Sequence, residues 1–255
     1  SAASDVYKRQ MYDVRGIQSY IFKSNAAKEI VGASVLVEKI ITEGLREYVS
    51  IQKKNLSTYM MDWKKDNPKA FLEDQEIEMQ IMFIGGGNAY VLFRHGRECE
   101  KVNRFLAKYL LDRTYSLNLA VAVVSKTEDY KKDYDAINNK MREIKASMPL
   151  SMPVGAMPFM AVDTITGYPL TSKDTKGNYY STEASLKRAA FPKMEDEKLF
   201  DNMITEKGDS STLAVFHIDG NSMGNTIRNT MKDIRGYEDA VSYTHLRAHE
   251  TLSDL

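Results

Sequence analysis

The chain has 255 residues, 43% of them hydrophobic, which is enough to bury a substantial core. Its 35 basic and 35 acidic residues cancel, so no overall field draws it to nucleic acid or to a membrane, although local patches are left open. The single cysteine, Cys99, excludes an internal disulfide and a cysteine-based zinc site, and the longest apolar run, Leu117 to Val124, is too short to cross a bilayer. We therefore expect a globular, cytoplasmic protein without a membrane partner.

Both ends of the chain resemble translated sequencing-adapter read-through. These segments are residues 1–10 (SAASDVYKRQ) and 241–255 (VSYTHLRAHETLSDL), and we expect neither to belong to the fold. His245 and His249 lie four residues apart beside Glu250, a spacing that would otherwise suggest a metal site on a helix. The adapter interpretation removes that site and indicates a fragment of a longer natural protein.

The first predicted elements are a strand over Met11 to Val14 and a short helix over Gly16 to Phe22. From Glu29 onward, apolar residues recur at spacings of three and four, which predicts a helix with one face packed on a core. These residues are Ile30, Ala33, Val37, Ile40, Ile41, Leu45 and Tyr48. Residues 51–74 are polar and are predicted to form a loop or a peripheral helical excursion.

The next segments predict a hairpin, a helix and a strand. Strands over residues 76–84 and 89–94 are joined by Gly85, Gly86, Gly87 and Asn88, which tolerate the positive φ of a tight turn. A helix follows over about 98–115 and a buried strand over 117–125. The order predicts an α+β fold, a ferredoxin-like (βαββαβ) palm domain, over residues 11–147.

A further helix is predicted over residues 128–147. Its apolar residues alternate at four and three, which predicts a seam for packing on another helix or subunit. These residues are Tyr130, Tyr134, Ile137, Met141 and Ile144. Residues 148–210 are predicted to be a connector that holds a short helix with exposed Lys187 and Arg188, and residues 211–240 to be the truncated start of a second palm domain.

The strongest candidate for chemistry is Asp219, where an apolar strand ends in a turn. Its carboxylate and the carbonyl of Gly220 are oxygen ligands suited to Mg²⁺ (or Mn²⁺). The amides of Ser222, Met223 and Gly224 begin the next helix, where a phosphate is favoured. An ordinary helix cap by Asp219 or Asn221 explains the same pattern, so both interpretations stay open.

Asp13 occupies the matching place in the first unit. Arg15 stands where a second acidic ligand would be needed, so we expect no metal there and expect Asp13 to cap a helix or to pair with Arg15. The hairpin of residues 85–88 lacks an acidic pair, although its backbone allows close approach of a base or a phosphate. A plain hairpin turn explains these glycines equally well. Together these features indicate a catalytically silent unit that helps to shape a nucleotide pocket.

Four segments taken together resemble one family. They are residues 13–22 (DVRGIQSYIF), 30–34 (IVGAS), 84–88 (IGGGN) and 217–224 (HIDGNSMG). In this order they are similar to the large polymerase-like subunit of type III CRISPR effector complexes and its stand-alone relatives, which carry twinned palm domains. The resemblance covers residues 11–240.

The resemblance implies a protein that binds ATP between two palms and, engaged by target RNA, makes cyclic oligoadenylates in antiviral defence. It implies Asp219 as the catalytic, metal-binding aspartate. It also implies nucleotide contacts by residues 85–88 and 220–224, and partners among effector subunits and guide or target RNA. The family's second acidic hairpin falls beyond this chain, so we expect the fragment alone to be inactive. Asn221 replaces a frequent acid, which leaves open a non-catalytic scaffold, and a cyclic dinucleotide cyclase is the other alternative.

Overall fold

The computed structural model describes residues 7–52, 56–67, 69–149 and 155–192, together with Asn229, Ile234, Gly236, Tyr237 and Asp239. The chain divides into a larger unit, residues 1–191 with 234–255, and a smaller unit, residues 192–233. All elements named below belong to the larger unit. Among the described residues, none of the helices combines the length and the hydropathy that a bilayer-spanning segment needs.

A five-stranded sheet forms the centre of the larger unit. Its strands are β1 (Lys8–Arg15), β2 (Tyr59–Met60), β3 (Met79–Gly85), β4 (Asn88–Phe93) and β5 (Asn118–Ser125). The spatial order is β2-β3-β4-β1-β5, and β1 runs antiparallel to both of its neighbours. β3 and β4 form an antiparallel hairpin, while β2 adds a short parallel edge beside β3. The four longer strands follow the split βαβ order that the sequence predicts, so the α+β, palm-like fold is confirmed.

Two long helices cover one face of this sheet. After β1 come α1 (Ile17–Ile21) and α2 (Ala27–Ile51), then α3 (Ala70–Glu73) before β3, and α4 (Gly96–Thr114) between β4 and β5. α2 and α4 enclose the main core with alternate residues of the strands. Its buried members include Tyr12, Val14, Val37, Ile41, Leu45, Phe93, Val102 and Leu106. The three-and-four spacing of the sequence is therefore the core-facing stripe of these helices.

The opposite face of the sheet is covered by α5 (Tyr130–Ser147). Ile137 and Met141 are buried against Ala120 and Ala122 of β5. The predicted packing of this helix on another helix or subunit is therefore wrong. Small residues on β5 leave room on this face, and the apolar stripe of α5 fills it.

Two predicted boundaries also differ from the structure. β1 begins at Lys8, so the expectation that residues up to Gln10 lie outside the fold is wrong for its last three residues. They pair with β4 and β5, and the buried Gln10 amide donates to Asn103. Tyr237, predicted to belong to the second palm, is buried beside Leu92 and donates to the Asp133 carboxylate.

The predicted connector contributes ordered structure to the larger unit. β6 (Leu170–Lys173) and β7 (Tyr179–Ser181) form a small hairpin that leads into α6 (Thr182–Ala189). The side chain of Ser181 accepts from the Ala184 amide and so caps α6. α6 packs on α2 so closely that the Lys187 carbonyl lies beside Gly32. Residues 170–189 are thus part of the domain, and the prediction of a separate connector is wrong for them.

Candidate nucleotide-binding site

The turn between β3 and β4 has the geometry that its glycines predict. Gly85 pairs with Asn88, which leaves Gly86 and Gly87 as a two-residue turn with φ angles of 57° and 79°. Two consecutive positive φ angles define a type I′ turn, which glycine adopts without a steric penalty. The predicted tight hairpin is confirmed.

The two turn residues have very different surroundings. A Cβ on Gly87 would lie 2.5 Å from Cδ1 of Ile17, at the start of α1. The Gly87 carbonyl also accepts from the Val14 amide at 2.9 Å, which ties the turn to the end of β1. A Cβ on Gly86 would meet nothing within 4 Å, whereas the corresponding space at Gly85 is filled by Phe83. The backbone of this turn is therefore open at Gly86, and its predicted contact with a nucleotide stays a prediction.

Asp13 lies beside this turn, on the sheet face that α5 covers. It is opposite Asn88 in the β1 and β4 pairing and forms an ion pair with Lys145 of α5. With its amide oriented to donate, Asn88 lies 3.2 and 3.1 Å from the two carboxylate oxygens. Arg15 donates instead to the Met148 carbonyl at 2.7 Å.

The predicted partners of Asp13 are therefore wrong, since it neither caps a helix nor pairs with Arg15. Side chains two apart on a strand share one face, so Asp13 and Arg15 both meet the C-terminal end of α5. That helix supplies an ammonium group to the first and a carbonyl oxygen to the second. Neither partner lies near Asp13 in the sequence.

The surroundings of Asp13 do not suit a divalent cation. Its carboxylate is engaged by the Lys145 ammonium and the Asn88 amide. Among the described residues, no three acidic, histidine or cysteine side chains converge as a metal site would require. The side chain of Asn88 is likewise engaged with Asp13, and its predicted contact with a nucleotide stays a prediction.

The remaining predicted site residues belong to the predicted second palm. Asp219, Gly220, Asn221, Ser222, Met223 and Gly224 lie outside the described residues. Their roles in metal and nucleotide binding stay predictions. Gly85, Gly86, Gly87 and Asn88 are brought together as one turn, at the end of the strand that carries Asp13.

A buried ion pair between Glu183 and Lys187 contacts the C-terminal end of α1, the end away from the glycine turn. The sequence analysis does not predict this pair. The Lys187 ammonium donates to Glu183 Oε1 at 2.6 Å and to the Tyr20 carbonyl at 2.7 Å. Burial lowers the pKa of Lys187, and the Glu183 carboxylate opposes that shift. Arg188 Nε donates to Glu29 at 2.7 Å. The predicted exposure of Lys187 is therefore wrong, and Arg188 is fixed by an ion pair.

This ion pair acts on the helix that contacts the glycine turn. α1 has only five residues and is too short to be stable alone. Lys187 satisfies a carbonyl of its last turn, where helix carbonyls lack partners, while Ile17 of the first turn packs on Gly87. The i,i+4 spacing of Glu183 and Lys187 was the available sequence signal, but that spacing is equally common on exposed helices.

The contrast between Gly86 and Gly87 gives a matched test of this geometry. Gly86→Ala is expected to lose about 1 kcal/mol of unfolding free energy, because only the positive φ is penalised. Gly87→Ala is expected to lose about 2–4 kcal/mol, because the new methyl group also overlaps Ile17. Urea unfolding of both variants measures the difference. Equal losses would show that Ile17 does not pack on the turn.

The fold and this turn define a palm-like α+β domain with a glycine hairpin beside a strand-end aspartate. No family model and no curated protein matches the chain. Among solved structures it is similar to the apo Csm1-Csm4 cassette, to the cassette in complex with pppApA, and to the Csm1-Csm4 subcomplex in the type III-A CRISPR-Csm interference complex. Each likeness has 14% identity and a TM-score of 0.40 over 56% of this chain. The chain spans 19% of the length of those chains, so the likeness is distant and partial.

Proposed function

We propose that this chain belongs to a twin-palm nucleotidyltransferase and contributes its non-catalytic palm and the start of its catalytic one. The supporting observation is the glycine turn beside Asp13, a carboxylate that Lys145 neutralises. A strand-end carboxylate that is paired with an ammonium group is not available as a metal ligand. Such a palm would retain the glycine turn for nucleotide contact but would lack the metal that catalysis needs. Catalysis then falls to the second palm, at Asp219.

In the proposed reaction, the 3′-hydroxyl of one ATP attacks the α-phosphate of another, and pyrophosphate leaves. Repeated transfer and ring closure give a cyclic oligoadenylate, which we propose as a signal of a type III CRISPR effector complex. Asp219 and the Gly220 carbonyl would hold Mg²⁺ (or Mn²⁺), which when bound stabilises charge on the reacting phosphate. The amides of residues 222–224 would receive phosphate oxygens at the start of the next helix. In the first palm, the open backbone at Gly86 would contact a nucleotide.

The decisive experiment uses the full-length protein in its natural complex with ATP and Mg²⁺. Asp219→Ala is expected to lower cyclic oligoadenylate formation at least about a hundredfold, because it removes the proposed metal ligand. Asp13→Asn is the matched control. It is expected to retain turnover, because the Asp13 carboxylate pairs with Lys145 and is not a proposed metal ligand. Products are separated by chromatography and identified by mass. Unchanged product formation in the Asp219 variant would remove that residue from the mechanism.

A nucleotide-binding scaffold is the second candidate, and the ion pair between Lys145 and Asp13 favours it for the described unit. The apolar stripe of α5 is covered by the sheet, so it does not supply the surface for another subunit that the sequence predicts. ATP binding without turnover by the full-length complex would favour the scaffold. Competition between ATP and GTP would test the alternative of a cyclic dinucleotide cyclase.

A further inference from the structure

The outer face of α4 carries a row of four basic side chains, Arg97, Lys101, Arg104 and Lys108. Their spacings of four, three and four residues keep them on one side of the helix. All four are exposed, whereas the opposite side of α4 is buried in the main core. The row is therefore directed to solvent and is not needed for packing.

Acidic residues nearby neutralise only part of this row. Glu100 contacts Arg104 at 2.6 Å, but both side chains are more than 60% exposed, so water screens the pair. Glu98 is buried, and its Oε2 lies 4.0 Å from the Lys101 ammonium. Its other carboxylate oxygen accepts hydrogen bonds from the hydroxyl groups of Tyr48 and Tyr59. Because the whole chain has no net charge, the row is a local excess of positive charge.

The shape of the row matches a polyanion. With a rise of about 1.5 Å per residue, Arg97 and Lys108 are about 16.5 Å apart along the helix, and successive charges are about 4.5–6 Å apart. The row is one charge wide and nearly straight. A single phosphodiester chain presents regularly spaced charges in the same form, and its binding is driven by neutralisation of phosphates.

The composition of the row argues against a protein partner. Interfaces between proteins have an apolar core and are depleted in lysine. Leu111 is the one large apolar side chain of α4 that is exposed in the described structure, and it lies beyond the end of the row. We propose that the α4 row binds the phosphate backbone of a single-stranded nucleic acid without reading its sequence. This proposal is independent of nucleotide binding at the glycine turn.

Binding of a labelled oligouridylate by the full-length protein, measured at several salt concentrations, tests the proposal. Four phosphate contacts predict a slope of about −2.8 for the logarithm of the association constant against that of salt. Lys101→Gln with Lys108→Gln is expected to reduce the contribution of the row by about half, a change in slope of about 1.4, and to weaken binding at least about tenfold at low salt. Oligothymidylate of the same length is expected to behave alike.

The matched control is Lys131→Gln with Lys132→Gln, which removes the same charge from α5 on the other face of the sheet. It is expected to leave the affinity and the slope within error of the wild type. An unchanged slope in the α4 variant, or an equal loss in the α5 variant, would overturn the proposal. Displacement of the oligonucleotide by polyglutamate at equal charge would also overturn it, in favour of an acidic protein.

Discussion

Replacing Lys187 by methionine is expected to destabilise the larger unit by about 3–5 kcal/mol. Methionine fills a similar volume but leaves the Glu183 carboxylate buried without its cation, which is the costly way to break an internal ion pair. Both side chains are only 2% exposed, so water cannot replace the lost partner. Ser116, which donates to Glu183 at 2.6 Å, and Lys23, at 3.7 Å, remain and limit the loss. Urea unfolding measures it.

Two further variants separate charge from packing. Glu183→Gln combined with Lys187→Met removes both charges and is expected to recover much of the lost stability, because neutral replacements of buried pairs are often tolerated. Arg188→Met removes a charge from the same helix at a pair whose arginine side chain is 29% exposed, and it is expected to cost less than Lys187→Met because water reaches this pair. A Lys187 variant as stable as the Arg188 variant would contradict the buried arrangement.

The order of helices and strands could be predicted because its signals are local. The stripe formed by Val37, Ile41 and Leu45 lies within one helix, and the glycine turn needs only the φ preferences of its own residues. Such patterns fix which residues share a face, and they correctly gave the split βαβ order. The short edge strand β2 has only two residues and carries no such pattern.

Contacts between distant parts of the chain could not be predicted. The stripe on α5 showed an apolar face, but the sequence does not state whether a sheet or a subunit covers it. The sequence shows that Lys187 and Glu183 share one side of a helix, but this local spacing does not indicate burial. Lys187 is buried because its ammonium group donates to the Tyr20 carbonyl, 167 residues away. The sequence predicts that Asp13 caps a helix or pairs with Arg15, whereas its carboxylate pairs with Lys145. At the candidate site, therefore, the turn was predictable and the electrostatic partners were not.

These partners connect the two ends of α1 to different parts of the chain. Ile17 packs on Gly87 of the turn, and the Tyr20 carbonyl receives the Lys187 ammonium. Through Lys187, α6 thus supports the helix beside the glycine turn, although the sequence predicts a connector there. We expect damage at α6 to reach the turn through α1, since so short a helix depends on its contacts at both ends.

Gly32→Ala is the second large effect that we expect, and it tests the docking of α6 directly. A Cβ on Gly32 would lie 1.8 Å from the Lys187 carbonyl oxygen and 2.8 Å from its carbon. Backbone atoms cannot rotate away, so α6 must move off α2. Alanine normally stabilises a helix interior by about 0.5–1 kcal/mol over glycine, but here we expect a net loss of about 2–3 kcal/mol from overpacking.

Gly44→Ala, in the same helix, is the matched control. There the new Cβ would lie 2.6 Å from Cδ2 of Leu106 and 2.9 Å from a ring carbon of Tyr109, which are side-chain atoms that adjust more readily than backbone. We therefore expect a smaller loss than at Gly32, because the gain in helix propensity offsets part of the strain. Urea unfolding ranks the two variants, and hydrogen exchange of the α6 amides locates the damage. A Gly32 variant with unchanged stability and fully protected α6 amides would show that α6 does not pack on α2 at this point.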